Sequence, residues 1–109
     1  MIEGIPPLSL VLLNLGNPKE KLWGVLHSLS AIGVTIRGIN VETFEDWARQ
    51  VSRGGELTLD LVTMFVPLAR VERMFVDEPV GSVPSYSQRF EQIVGVHPEI
   101  FLGLKRADA

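Results

Sequence analysis

The chain has 109 residues, a length typical of one small domain, and 46% of them are hydrophobic. It contains no cysteine, which excludes disulfides, thiolate zinc sites and cysteine nucleophiles. Its net charge of −3 argues against a generic nucleic-acid binder, because such proteins usually carry an excess of basic residues. A single small core cannot easily hide so much apolar surface, and we therefore expect a homo-oligomer.

The N-terminal segment, residues 1–15, is apolar but has no basic start. Pro6, Pro7 and Asn14 interrupt it, so it matches neither a signal peptide nor a membrane span. We expect a cytoplasmic protein with no membrane partner.

Three short strands are predicted for the first part of the chain. Residues 8–15 are dense in branched aliphatic side chains and form a run too short for a typical helix. Turn-forming residues at 16–20 follow, and a second strand is predicted over 21–29. After a tight connection, a third strand is predicted over 34–39, so the three strands form a meander.

An amphipathic helix is predicted over residues 41–53, with Asn40 as its N-cap. Acidic residues lie in its first turns and basic residues near its end, as the helix dipole favours. Gly54 and Gly55 end it. Its apolar residues recur at steps of three and four and form one stripe: Val41, Phe44, Trp47, Ala48 and Val51.

Two more strands and a helical tail are predicted for the rest of the chain. The strands cover residues 57–67, ending at Pro67, and 71–76. Ser85 is the predicted cap of a helix, His97 precedes a last short turn, and the tail covers about 84–104. Its apolar face should dock on the barrel or on a neighbour. The helix face consists of Tyr86, Phe90, Ile93 and Val94.

This element order predicts a mainly β fold in a single domain, residues 1–109. Five short strands in an open sheet would leave two edges and one bare face uncovered. Curling into a small barrel solves both problems. We therefore expect a five-stranded barrel over about residues 8–78, with a helix inserted between the third and fourth strands and a helix after the fifth.

Residues 8–36 resemble the first half of the bacterial Sm-like (Hfq-type) domain, and residues 64–76 resemble its second half more loosely. The resemblance implies a strongly bent SH3-like barrel that forms a ring, in which the fourth strand of one subunit pairs with the fifth strand of the next. Gly24 would allow the second strand to bend. The resemblance is carried by Leu8-Ser9-Leu10, Leu13-Asn14 with Gly16, Leu22-Trp23-Gly24-Val25-Leu26, Ser28-Leu29-Ser30, Val34 and Ile36.

The chain departs from this family where the family contacts RNA. Ser30 stands at the aspartate position of the motif, and the family's Lys-His pair would fall near Val66 and Pro67. Neither of these two residues has a side chain that donates a hydrogen bond. The family's helices precede the barrel, whereas here one is inserted and one follows. An Sm-like oligomeric barrel that binds RNA and an oligomeric protein-interaction scaffold without nucleic acid both remain open.

Two sets of residues are candidate interaction sites. Arg37, Arg70 and Arg73 lie nearest the predicted strand ends and turns, where a ring would present them to phosphates. Ordinary surface or intersubunit charge is the alternative interpretation. The fourth and fifth strands are apolar on both faces, which suits edges that need cover, and the candidate oligomer interface is Val62, Met64, Val66, Met74 and Val76.

No residue pattern indicates catalysis, a metal or a cofactor. The chain has two histidines, His27 and His97, and no calcium-loop, nucleophile-elbow or phosphate-loop motif. Trp23 can stack on a base in principle, but a core or interface position explains it better. We expect a protein that is not an enzyme and has no small-molecule substrate. An enzyme or small-ligand barrel, the third hypothesis, would require an enclosed polar pocket with a titratable pair.

Overall fold

A computed structural model describes residues 4–106, and its centre is one antiparallel sheet of five strands. The strands are β1 (Leu10–Leu15), β2 (Glu20–Leu29), β3 (Gly33–Asn40), β4 (Val62–Pro67) and β5 (Val71–Val76). The helices are α1 (Val41–Arg53), α2 (Tyr86–Val94) and α3 (Pro98–Phe101), and a 3-10 turn, Leu68–Arg70, joins β4 to β5. The predicted mainly β class is confirmed, with a helix between the third and fourth strands and helices after the fifth.

The fourth strand is shorter than predicted and begins at Val62 instead of residue 57. The side chain of Gln50 in α1 explains the difference. Its Oε1 accepts hydrogen bonds from the backbone N–H groups of Thr58 and Leu59, at 2.9 and 3.3 Å. These backbone groups are satisfied by a helix side chain, so they take no part in a strand ladder. The first strand also begins later than predicted, at Leu10.

The strand order in the sheet is β4-β3-β2-β1-β5. The 3-10 turn carries the chain across from the β3 side to the β1 side. Leu68 N–H donates to the carbonyl of Ile32 at 3.0 Å, and Gly16 N–H donates to the carbonyl of Arg70 at 2.8 Å. Because β4 and β5 thereby pair with different neighbours, no ladder joins them within residues 4–106. The sheet is therefore not closed, and the five-stranded barrel expected from the sequence is not confirmed.

Gly24 of β2 and Gly38 of β3 are direct partners in the ladder, and their backbones approach closely. A Cβ atom on Gly24 would lie 2.2 Å from the carbonyl oxygen of Arg37 and 2.5 Å from the Cα of Gly38. Both contacts are backbone atoms, which cannot swing away as a side chain can. Glycine is therefore required at position 24 because the two backbones approach so closely, a reason different from the strand bend that the resemblance implies.

The two faces of the sheet bury separate hydrophobic clusters. Alternate residues of β1 point to one cluster or the other, which is why all of its residues except Asn14 are leucine or valine. We call the two clusters the inner cluster and the outer cluster. Met64 of β4 and Met74 of β5 both pack on the inner cluster. Its buried members are Val11, Leu13, Leu15, Leu22, Leu26, Val34, Ile36 and Val66. The outer cluster lies beneath the helices and contains Leu10, Leu12, Trp23, Val25, Ile39, Phe44, Trp47, Ala48, Leu61 and Phe90.

The helices cover the outer cluster with the faces predicted for them. In α1, Phe44, Trp47 and Ala48 are fully buried, and the side chain of Asn40 accepts from Glu42 N–H at 2.9 Å as the predicted N-cap. In α2, Phe90 is fully buried, with its ring 5.1 Å from that of Trp47. The apolar tail therefore docks on its own chain.

Asp77, just after β5, joins the sheet to the tail. Its Oδ1 accepts from Tyr86 N–H at 2.9 Å, and its Oδ2 accepts from the N–H and Oγ of Ser87 at 2.8 and 2.7 Å. Oδ2 also accepts from the indole Nε1 of the buried Trp23 at 2.9 Å. A carboxylate at a helix N-terminus is favoured by the helix dipole. One side chain thus holds the end of β5, the start of α2 and a core tryptophan together.

Replacing Gly24 by alanine should destabilise the fold by about 1–3 kcal/mol, because the new Cβ forces the β2 and β3 backbones apart. Urea unfolding followed by circular dichroism measures the loss. Gly4→Ala is the matched control, since a Cβ on Gly4 meets nothing within 4 Å. Equal midpoints for Gly24→Ala and the wild type would contradict the close approach.

Asp77→Ala should cost about 3 kcal/mol, because it removes charge-assisted hydrogen bonds and leaves the Trp23 indole N–H buried without its acceptor. The tryptophan emission spectrum reports the change at Trp23, and chemical unfolding reports the loss of stability. Glu78→Ala serves as the control, since Glu78 is the exposed neighbour. Similar losses in the two variants would show that Asp77 does not hold α2.

Candidate functional site

The two outer strands of the sheet are the candidate interaction site. Within residues 4–106, β4 is paired only with β3, and β5 only with β1. Each of these strands therefore presents a row of backbone N–H and C=O groups on its outer side. Such a row is a template on which another chain can add a strand.

Both edges carry exposed apolar side chains. On β4, Val62 is 57% exposed and Phe65 is 52% exposed. On β5, Phe75 is 37% exposed and Val76 is 39% exposed. Large apolar side chains in this state, beside unpaired backbone groups, favour association with another protein surface over stable exposure to water.

The predicted interface residues occupy three kinds of position. Val62 and Val76 are exposed, whereas Met64 and Met74 are partly buried against the inner cluster. Val66 is only 4% exposed and belongs to that cluster, so its side chain is already covered within the chain.

Two exposed residues of the edges, Phe65 and Phe75, are absent from the predicted interface set. Phe75 pairs with Leu12, on the side of the sheet that carries the outer cluster, and Phe65 pairs with Thr35. Side chains alternate between the two faces of a strand, so the sequence itself indicates that Phe65 and Phe75 lie on the other face from their neighbours. The predicted set missed them because it contains only residues of one face of each strand.

The three predicted arginines are not brought to one place. Arg37 lies within β3 and is partly buried, whereas Arg73 is exposed on β5. Three strand spacings, about 14 Å along the sheet, separate the strands that carry them. Neither of these two side chains forms an ion pair with another residue in the range 4–106.

Arg70 has a structural role that the sequence did not reveal. Its guanidinium donates to the carbonyls of Gly16 and Pro18 at 3.1 and 2.7 Å and pairs with the carboxylate of Glu20 at 3.0 Å. These contacts fasten the turn between β1 and β2 to the 3-10 turn. Arg70 is therefore less available to a phosphate than its position in the sequence suggests.

The aromatic and histidine candidates occupy ordinary positions. Trp23 is fully buried and cannot stack on a base without unfolding part of the core. His97 caps α3, where its Nδ1 accepts from Glu99 N–H at 3.2 Å, and His27 is exposed near the end of β2. Among the described residues, no group of three or more His, Cys, Asp or Glu side chains is placed to hold a metal ion.

Two surface clefts are open to solvent. One of about 560 Å³ lies between residues 79–84 and α2. Another, of about 460 Å³, is lined by Asn14 and by charged side chains of both signs. The Oδ1 atom of Asn14 is buried and has no hydrogen-bond partner among residues 4–106. An enclosed pocket with convergent polar groups, as a catalytic barrel requires, is not among these clefts.

Comparison with known proteins found no match: no family model, no curated protein and no solved structure is significantly similar to this chain. None of the helices described in residues 4–106 is long and apolar enough to span a membrane. The open edges and the surfaces next to them are therefore the features from which a function can be inferred.

Proposed function

We propose that this chain is an Sm-like, SH3-type barrel unit that assembles into a ring through β4 and β5 and acts as an oligomeric scaffold. The observation that carries the proposal is the pair of strands at the two ends of one sheet that have one side unpaired within residues 4–106 and carry exposed apolar side chains. The β4 edge of one copy would pair with the β5 edge of the next. A head-to-tail contact of this kind forms a ring when the rotation between subunits closes.

The curvature of the sheet supports the barrel part of the proposal. The strands at the two ends of the order β4-β3-β2-β1-β5 both reach the inner cluster, through Met64 and Met74. The close pairing of Gly24 with Gly38 lets the middle strands bend around that cluster. The remaining gap lies between β4 and β5, the two strands that pair between subunits in the family that this chain resembles.

The composition of β4 supports the assembly part. Proteins that leave a strand edge free usually protect it with lysine, a central proline or an inward-pointing charge. The sequence of β4 is VTMFVP, without any charged residue and with its proline only at the end. Pairing with another copy would satisfy this edge and cover the exposed Val62 and Phe65.

RNA binding is the second candidate function. Arg73 favours it, because this side chain is exposed on β5 and forms no ion pair with another residue in the described part of the chain. A ring would repeat this cation in every subunit, where it could meet phosphates. The net charge of −3 and the commitment of Arg70 to the turn between β1 and β2 make the protein scaffold the stronger proposal.

The double variant Val62→Lys/Phe75→Lys should dissociate the ring, because it places like charges on both strands of the intersubunit pair. Size-exclusion chromatography with light scattering at micromolar concentration gives the mass. The wild type should have the mass of three or more subunits, and the variant should lose its ring. Val80→Lys/Val83→Lys is the matched control, since both valines are exposed away from the edges. A wild type at the 12.1 kDa subunit mass would refute the assembly.

For RNA binding, fluorescence anisotropy with U-rich and A-rich oligonucleotides should give an affinity that falls with salt. Arg73→Ala should weaken binding and lower the salt slope by about 0.7 for each subunit that contacts the oligonucleotide, because it removes one phosphate contact per subunit. Arg53→Ala, at the exposed end of α1, should leave both unchanged. No binding of either oligonucleotide at low salt would select the scaffold without nucleic acid.

A further inference from the structure

Arg37 is the only charged residue of the strands β3 and β4. Its partners in the two ladders, Val25 of β2 and Thr63 of β4, are both uncharged. Within residues 4–106, no carboxylate lies within ion-pair distance of its guanidinium. Asp60, just before β4, accepts instead from the N–H of Leu61 at 2.7 Å. The sheet therefore carries a partly buried cation whose anionic partner its own neighbours do not supply.

The strand register places the side chains around Arg37 on one face of the sheet. Val25, directly opposite Arg37, belongs to the outer cluster, so Arg37 lies on the outer face. Directly opposite residues of an antiparallel pair share a face, as do residues two apart on one strand. We call the resulting surface the arginine patch. Its members are Ser28, Thr35, Arg37, Thr63 and Phe65.

The ring of Phe65 is held in place at one end of the patch. It lies against the backbone of Gly33, where a Cβ atom would collide with it. Gly33 precedes Thr35 by two residues and so belongs to the same face of the sheet. The ring is nevertheless 52% exposed, so it offers a fixed apolar surface to another molecule.

The chemistry of the patch fits a carboxylate. A guanidinium binds a carboxylate through two parallel hydrogen bonds, which is a stronger and more specific contact than a lysine makes. Thr63 lies directly opposite Arg37, and Thr35 lies two residues before it, so their hydroxyl groups can donate to the remaining lone pairs of the carboxylate. No member of the patch is acidic, so none of them repels an anion.

A single cation restricts the kind of anion. Nucleic acids and anionic lipid surfaces are bound by several lysines or arginines acting together, whereas β3 and β4 contain only Arg37 and the whole chain has a net charge of −3. One carboxylate beside one apolar side chain, as in a peptide, matches one guanidinium beside one aromatic ring. Gly33, beneath the ring, and Arg37 are four residues apart on β3, about 13 Å. In an extended peptide, side chains four residues apart span the same distance and point to the same side.

We propose that the arginine patch binds an extended peptide segment of a partner protein, with an aspartate or glutamate on Arg37 and an apolar side chain, four residues away, on Phe65. The inference goes beyond the proposed assembly, because it gives each subunit a binding site on the face of its sheet. Pairing of strand edges uses the unpaired side of β4, so the two contacts are separable by mutation.

The probe is the pentapeptide Glu-Thr-Ser-Thr-Phe, acetylated and amidated so that the glutamate is its only charge, and labelled with an uncharged dye. Fluorescence anisotropy with the wild-type protein should show binding. The matched peptide with glutamine in place of glutamate should bind about tenfold more weakly or worse, because it loses the charge-assisted hydrogen bonds. Equal affinities for the two peptides, or no binding of the glutamate peptide at millimolar protein, would overturn the inference.

Arg37→Gln should remove the preference for the glutamate peptide, because it deletes the charge and keeps most of the side-chain length. Arg73→Gln is the matched control, since Arg73 is exposed on β5, and should keep the preference. Circular dichroism shows whether each variant is folded, and Arg37→Lys, which retains the charge, should keep part of the preference. A folded Arg37→Gln protein that still distinguishes the two peptides would show that Arg37 does not bind the carboxylate.

The apolar part of the site is tested with a second change in the peptide. Serine in place of the terminal phenylalanine should weaken binding to the wild type, because the contact with the ring of Phe65 is lost. Moving the phenylalanine next to the glutamate should weaken binding as well, because the two anchors no longer match the spacing on β3. Unchanged affinity for both altered peptides would refute the role of Phe65.

Two further measurements separate this inference from the proposed functions. Val62→Lys/Phe75→Lys should lose the ring and keep the preference for the glutamate peptide. A wild type that is monomeric and still prefers this peptide would refute the ring and retain the peptide site. If Arg37→Gln weakens binding of the oligonucleotides while the wild type does not distinguish the peptides, the patch is a nucleic-acid site and the proposal is wrong.

Discussion

The close approach of Gly24 and Gly38 is the constraint on which the rest of the structure depends. Two strands without side chains at their point of contact can come closer than any other pair of residues allows. The sheet can then curl, so that one face encloses the inner cluster and the other supports the helices. A chain of 109 residues thereby obtains two hydrophobic clusters from one sheet.

The outer cluster depends on a second set of contacts, which hold the helices against the sheet. The rings of Trp23, Phe44, Trp47 and Phe90 pack on one another, with centroid distances between neighbours of 5.0 to 5.9 Å. Asp77 supplies the polar complement by accepting from the Trp23 indole and from the start of α2. The buried face of α2 is therefore part of the core.

The same curvature leaves surfaces that the chain does not cover itself. The strands at the ends of the sheet, β4 and β5, each keep one side unpaired within residues 4–106. The β4 edge has no charged residue, whereas β5 exposes Glu72 and Arg73 beside its apolar side chains.

Local patterns in the sequence predicted the helices and most of the strands. The helix α1 was placed at its observed bounds, because its apolar spacing, its Asn40 cap and its terminal glycine are all local signals. The bounds predicted for β5 also agree with the structure, whereas the close approach of Gly24 to Gly38 is a contact between two strands that only the structure shows. The early start predicted for β4 was wrong, because Gln50 occupies the backbone groups of Thr58 and Leu59 from another element.

The sequence by itself determined which segments are helix and strand and which of their faces are apolar, because these properties depend on neighbours a few residues away. Only the tertiary structure decided the strand order, the open edges and the partners of individual polar side chains. Trp23 and Asp77 are 54 residues apart in the chain, as are Arg70 and Gly16. No periodicity within a segment encodes such pairs, since they form only when the whole sheet has curled around its inner cluster.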